Sequence, residues 1–436
     1  MKRDNRLRII RNSPLVVQRG FIGLLVLSLL VFPVASQASS VIGESNTYVQ
    51  SRQAADGTHI LGAYEYLDFL AQNEKNEDVT FNIGGWLRYD INGNEFNKRS
   101  DTDLQYGYLS YKGKSSNTIV NVGRVMVSEG VAAERLDGVY ARTDLVGNFG
   151  LSAYGGSPVE YGIDLPGDNV IYGTRLTHQV ANLYRVGISF LKEEKNSQDF
   201  RKEEGIDLWV RPVDKVEIMG NSKYNAVTSD WASHYYYLVL GPFANVRLST
   251  EASQINYKDY FIGASTSAFS FQPGILDPNE KARILGEEIA YDVTDKVSLS
   301  ANYKAYTYTI AGHAQYFGGD VKYRMTSSSG TGLSIHKMDG GTDALRYTEY
   351  RAYGYTKFGK LGLTLDVMDV AYAAPINNVK DAYTVAAIAT YDMTERLRMG
   401  ADVEYSKNPD YDKDIRTFFR LTYKFDTTSG TRKEGM

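Results

Sequence analysis

From about residue 78 onward, one pattern recurs in segment after segment: apolar and polar residues alternate strictly, and the connections between segments alternate between short and long. The stretch VTFNIGGWLRYD (79–90) sets Val79, Phe81, Ile83, Leu87 and Tyr89 on one face. Thr80, Asn82, Trp86, Arg88 and Asp90 fall on the other. LGLTLDVM (361–368), RLRMGADVEY (396–405) and TFFRLTYKF (417–425) repeat the arrangement. A period of two is the mark of a β-strand with one apolar and one polar face. Connections such as PVDK and DMTE are short, whereas EEKNSQDFRKEE, AAPINNVKD and SKNPDYDK are longer and polar. A meander whose two ends obey different rules gives this, and outer-membrane barrels have short turns at one end and longer loops at the other.

The expected fold is therefore all-β: an antiparallel up-and-down transmembrane β-barrel of about 18–20 strands, with short periplasmic turns and long outer loops. The strands run to about 10 residues, enough to cross a bilayer at a tilt. A soluble sandwich or propeller would use shorter strands and bury the apolar face. The apolar face here is read as the lipid face, so the polar face lines an interior. The aromatic face of 417–425 then meets lipid, with Phe425 in an interfacial girdle. The 34 tyrosines fit the same reading, since Tyr joins an apolar ring to a wet hydroxyl at a membrane interface.

The N-terminus adds a leader. Lys2, Arg3, Arg6, Arg8, Arg11 and Arg19 precede the uncharged run FIGLLVLSLLVFPV (21–34), and the small residues Ser36 and Ala38 follow. Basic, apolar, then small is the layout of a secretory signal peptide. A spanning helix needs about 20 apolar residues, more than this run has. The organisation is thus read as a signal peptide at 1–38 and an N-terminal periplasmic or plug segment at 39–77. The barrel follows at 78–425, and a disordered tail at 426–436.

Several function classes drop out. Cysteine is absent, which removes disulfides, thiol catalysis and covalent haem attachment through C-x-x-C-H. The net charge of −4 becomes more acidic once the basic leader is removed, which argues against nucleic acid as a partner. Five histidines are scattered and form no H-E-x-x-H motif, and G-x-S-x-G is also missing, so no enzyme is expected. No metal-ligand cluster or phosphate loop stands out, and no cofactor is expected.

The interior candidates are the charged residues on polar faces: Arg88, Asp90, Arg175, Arg185, Asp207, Arg211, Glu217, Lys223, Arg247, Glu251, Lys322, Arg324, Asp366, Arg396, Arg398, Asp402, Glu404, Arg420 and Lys424, with Arg124. Bases outnumber acids among them, and rings of Arg and Lys favour anions. The alternative is that these charges simply pair and stiffen the wall. The most distinctive stretch is VGRVMVSEGVAAERLDGVYAR (122–142), at an outer connection that is less polar than the others. It either folds inward and narrows the interior, with Glu129, Glu134, Arg135 and Asp137 at the constriction, or is an ordinary loop with a local Glu–Arg pair.

That stretch resembles the G-R-…-D-G strand–loop–strand of porin-type channels, a group that includes alginate-export-like barrels. YEYLDF (64–69) followed by GGWLRYDI (84–91) is similar to the openings of porin-like barrels of metal-reducing bacteria, some of which partner multihaem cytochromes. The resemblance implies a Gram-negative outer-membrane porin-like β-barrel. Its partners would be outer-membrane lipid and small hydrophilic solutes, and its role a passive diffusion channel. Alternatively it implies a sheath holding a multihaem cytochrome in an electron conduit.

Overall fold

The computed structural model describes residues 40–53, 57–73, 76–93, 99–114, 117–159, 169–261, 277, 279–409 and 411–427. The expected signal peptide lies outside the described residues, as does the tail beyond Thr427.

Twenty-two strands occupy the described residues. The first half comprises β1 (Ser40–Gln53), β2 (His59–Asn73), β3 (Asn76–Asp90), β4 (Ser100–Lys112), β5 (Ile119–Glu129), β6 (Ala132–Leu145), β7 (Phe149–Pro158), β8 (Val170–Val180), β9 (Tyr184–Lys195), β10 (Gln198–Val213) and β11 (Val216–Asn225). The second comprises β12 (Asp230–Phe243), β13 (Val246–Asn256), β14 (Lys281–Asp292), β15 (Val297–Tyr308), β16 (Gly312–Thr326), β17 (Ser329–Gly340), β18 (Tyr347–Phe358), β19 (Leu361–Ile376), β20 (Val379–Asp392), β21 (Leu397–Asn408) and β22 (Tyr411–Asp426). Each strand pairs antiparallel with the next. β22 returns to β1, from Ile42 opposite Asp426 to Ser51 opposite Thr417, and closes the ring. Closure removes the sheet edges, whose unpaired N–H and C=O groups would be untenable in hydrocarbon.

The outward face carries the exposed apolar residues, among them Leu285, Leu333, Ile335, Leu365, Val403 and Phe419. Near the end of the barrel where β1 begins and β22 ends, Tyr291, Tyr323, Phe358, Tyr391 and Tyr423 ring the exterior. Phe425 joins them, its ring 5.0 Å from that of Phe69. This is the aromatic girdle of a lipid-facing wall.

Two expectations need correction. The described residues of 39–77 do not form a periplasmic or plug segment: 40–53 and 59–73 are the first two strands of the barrel, which raises the count from the expected 18–20 to 22. Their pattern is blurred because the lipid face holds Gly43, Ser45 and Thr47 on β1 and Glu65 on β2, while the inner face of β2 holds Tyr64 and Tyr66. Ser45 and Thr47 each donate a 2.6 Å hydrogen bond to the Glu65 carboxylate, satisfying it on that face. Several expected long loops are also strand. EEKNSQDFRKEE continues β9 into β10 through Asn196 and Ser197, and AAPINNVKD continues β19 into β20 through Asn377 and Asn378. All four turn residues have positive φ, between 48° and 66°, the conformation of a tight type I′ hairpin. The longest connection, 257–280, opens with a short helix, Tyr257–Phe261.

Candidate functional site

The alternation that points apolar side chains outward points the charged ones into the barrel. Arg88, Arg175, Arg185, Arg211, Arg247, Lys322, Arg324, Arg398, Arg420 and Lys424 lie on interior-facing positions, as do Asp366, Asp402 and Glu404. Arg396 sits in the turn before β21 rather than on a strand, where its carbonyl accepts from Lys424 N–H at 2.8 Å. Many of these residues are paired. Arg88 lies 3.6 Å from Asp101, Arg351 Nε donates to Asp366 at 3.0 Å, and Lys424 lies 3.7 Å from Glu44. Others are exposed to the interior without an acidic partner among the described residues, including Arg185, Arg247 and Lys322 near the end where β1 begins.

The stretch 122–142 is the main internal feature. It is not a loop but a continuous hairpin, β5 and β6 joined by Gly130 and Val131. Its neighbours follow it only part of the way: β4 pairs with β5 as far as Arg124, and β7 pairs with β6 only from Leu136. At that level Arg124 makes a bidentate pair with Asp137, at 2.7 and 2.9 Å, and donates to the Leu104 carbonyl at 3.1 Å. The free half of the hairpin leaves the wall there and lies against the inner faces of β8 to β10.

Three kinds of contact fix it. The first is apolar: Val125, Val127, Ala132 and Leu136 pack on Tyr154, Ile171 and Leu191, all with little or no exposure. The second is ionic. Glu129 accepts from Arg175 at 3.0 Å and from Tyr140 at 2.6 Å, and Glu134 pairs with Arg201. Arg201 also donates to Glu203 at 2.9 Å, and Lys223 reaches Glu203 at 2.8 Å. The third is at the turn, where Val131 N–H donates to Ser189 Oγ at 3.1 Å. Gly130 has a φ of 61°, and a Cβ there would fall 2.2 Å from that same oxygen, so only glycine permits the approach.

The expected constriction residues divide between the two faces of the hairpin: Glu129 and Glu134 turn to the wall, each 6% exposed, and Arg135 and Asp137 fall on the opposite face. Glu134 is held by Arg201 on β10 and Arg135 by Asp103 on β4. Sequence reasoning missed Arg201, Glu203 and Glu193 because the segment holding them read as a polar outer loop. The inward alternation Arg201, Glu203, Gly205, Asp207 was the available signal. Tyrosine is also placed differently from expectation. Besides the exterior girdle, Tyr48, Tyr66, Tyr106, Tyr108, Tyr306, Tyr316 and Tyr347 face the interior.

No protein-family model matches the sequence, and no curated protein does. Among solved structures, the chain is similar to a mutant of the ferric enterobactin receptor PfeA from Pseudomonas aeruginosa. The TM-score is 0.53 at 10% identity, over 88% of this chain and 80% of that one. It also aligns with OccK11 (OpdR) of the same bacterium at a TM-score of 0.43 and 11% identity, over 89% of this chain and 96% of that one. At such identities the likeness is one of fold. The chain has the closed, antiparallel β-barrel fold of these outer-membrane proteins.

Proposed function

We propose that the protein is a channel for passive diffusion of small hydrophilic solutes across the outer membrane, with a preference for anions. The observation that carries this reading is the folded-in hairpin: a polar interior partly filled by an element that is clamped to the wall rather than loosely draped. Such an element narrows a water-filled barrel to a passage of defined width. Arg135 and Asp137, on the face of the hairpin turned from the wall, are the constriction residues in this reading, with Glu129 and Glu134 as its buried anchors, and the four charges are largely matched by Asp103, Arg124, Arg175 and Arg201. Basic residues without an acidic partner among the described residues lie nearer the other mouth, at Arg185, Arg247, Lys322 and Arg420, and outnumber the interior acids Glu288 and Asp402, which have no basic partner among them. Rings of Arg and Lys lower the barrier for anions.

The test is a planar bilayer with a potassium chloride gradient. The barrel alone should conduct, with a reversal potential on the anion side. Replacing Arg247 and Lys322 by Gln should move that potential toward cations, more at low salt than at high, because screening shortens the reach of the charges. A clear cation preference in the unmodified protein refutes the anion preference. A barrel that carries no current and co-purifies with a haem protein refutes the channel in favour of a cytochrome sheath.

A further inference from the structure

The lipid face carries two carboxylates at one depth, and the wall treats them differently. Glu65 on β2 lies opposite Thr47, and Glu287 on β14 lies opposite Thr250 and Tyr303. Each stands four residues along its strand from an aromatic of the exterior girdle, Phe69 and Tyr291 respectively. On a tilted strand that is about 10 Å of height, near the middle of an apolar band about 25 Å tall. Glu65 is answered within the wall, by the hydroxyls of Ser45 and Thr47. Glu287 is not. It is exposed and has no hydrogen-bond or ionic partner among the described residues. The Thr250 hydroxyl beside it donates to the Gly286 carbonyl instead, at 2.9 Å.

The surface around Glu287 lets another wall come near. Leu285 and Ile289 stand on either side of it along β14, both exposed. The flanking strands hold small side chains there: Ala252 and Ala305 lie opposite Leu285, and Ala301 lies opposite Ile289. A hollow beside the carboxylate is lined by Leu238, Leu248, Thr250, Ala301 and Tyr303. Small residues permit close approach between elements packed in a membrane. Lipid chains can fill such a hollow, but they offer Glu287 neither a donor nor an acceptor.

We propose that a second copy of this chain docks on the face of β13 to β15, with the two Glu287 carboxyls paired across a two-fold axis along the membrane normal. The proposal does not depend on the channel reading. A carboxyl group held in hydrocarbon without a cation beside it is neutral. In that form it has one O–H donor and a free acceptor oxygen, so it is its own complement. Copies inserted in one membrane share orientation and depth, and a residue near the two-fold axis of a pair therefore meets itself. The described lipid face carries no unpaired basic residue at this depth that would meet Glu287 in another arrangement of copies. A different protein bringing Lys or Arg would carry the costlier charge on its own lipid face, since basic side chains at the midplane cost more than acidic ones.

The chain has no cysteine, so Leu285→Cys introduces a single thiol beside an intact Glu287. In membranes of cells producing the full chain, a short bifunctional methanethiosulfonate should link this variant into a dimer. Leu365→Cys, on the lipid face of β19, should stay monomeric. Adding Glu287→Lys to Leu285→Cys should lower the linked fraction about tenfold, because two cations then meet in hydrocarbon. Adding Glu287→Gln should preserve it, because an amide also donates and accepts. Heat-modifiable gel migration shows that each variant is a folded barrel. A linked dimer that forms from Leu285→Cys alone and is lost with Glu287→Lys supports the pair. Absence of the dimer in a folded Leu285→Cys barrel overturns it. So does a dimer that Glu287→Lys leaves intact, a ladder extending to three copies, or a product joined to a chain of another size. Conductance of the barrel is a separate result, so the pair and the channel stand or fall apart from each other.

Discussion

Replacing Arg201 by Met isolates what holds the hairpin down. Arg201 bridges Glu134 on the hairpin and Glu203 on the wall. Both carboxylates are buried, at 6% and 1% exposure, and without the guanidinium Glu203 keeps Lys223 while Glu134 loses its ion pair with Arg201. Removing one partner of a buried pair costs about 3–5 kcal/mol. The barrel ladder does not depend on this pair, since β10 keeps its hydrogen bonds to β9 and β11. The strain is relieved most cheaply by lifting the hairpin. At about 1.4 kcal/mol per tenfold, the ratio of docked to lifted hairpin falls by roughly two to three and a half powers of ten. In a planar bilayer the variant should show larger conductance steps and more flicker than the parent. Adding Glu134→Gln should restore much of the parent behaviour, because removing both partners is far less costly than removing one. Identical amplitude and noise in Arg201→Met, with the barrel shown intact by heat-modifiable gel migration, would refute the clamp.

Two further outcomes test the wall itself. Ile335→Arg places a charge on the lipid face and should destabilise refolding into vesicles by about 2–4 kcal/mol in a urea titration, whereas Ser334→Arg, one residue away and facing inward, should cost far less. At the turn between β19 and β20, Asn378 has a φ of 66°. Asn378→Ala should lower stability by about 1–2 kcal/mol, while Asn378→Gly should not, and equal effects would mean that turn conformation is not what matters.

Much of the wall was legible in the sequence because lipid and water impose opposite demands on alternate residues. The closing strand shows this best: Phe419, Leu421, Tyr423 and Phe425 face lipid, and Arg420 and Lys424 face inward. Legibility failed wherever one side lacked its usual solvent. In β2 the lipid face carries Glu65, neutral in pattern only once Ser45 and Thr47 are placed beside it, and no local rule places them. Where β9 and β10 extend toward their shared turn, polar residues on both faces erase the alternation, leaving only Asn196 and Ser197 as a mark. The hairpin was recognisable as unusual because it is less polar than a loop. What covers it was not, since Ile171 and Leu191 look like any strand residues until they are seen on the inner wall. Tyrosine misled for a related reason: composition counts rings without saying which side of the sheet they face.

The seam between β1 and β22 has a consequence for assembly. Those strands are the first and last of the ring along the chain, yet ten residues of each are matched directly, from Ile42 with Asp426 to Ser51 with Thr417. The fit is tight at Gly43, where a Cβ would come within 2.4 Å of the Phe425 ring. Every other pairing in the sheet can form between strands adjacent in the chain, but this one waits for the whole chain. Until then two long strands display unpaired backbone groups that hydrocarbon cannot satisfy. Deleting the final strand would not give a slightly narrower cylinder. Antiparallel pairing all round a ring requires an even number of strands, so twenty-one would leave two edges running the same way, an open sheet prone to pairing with foreign chains.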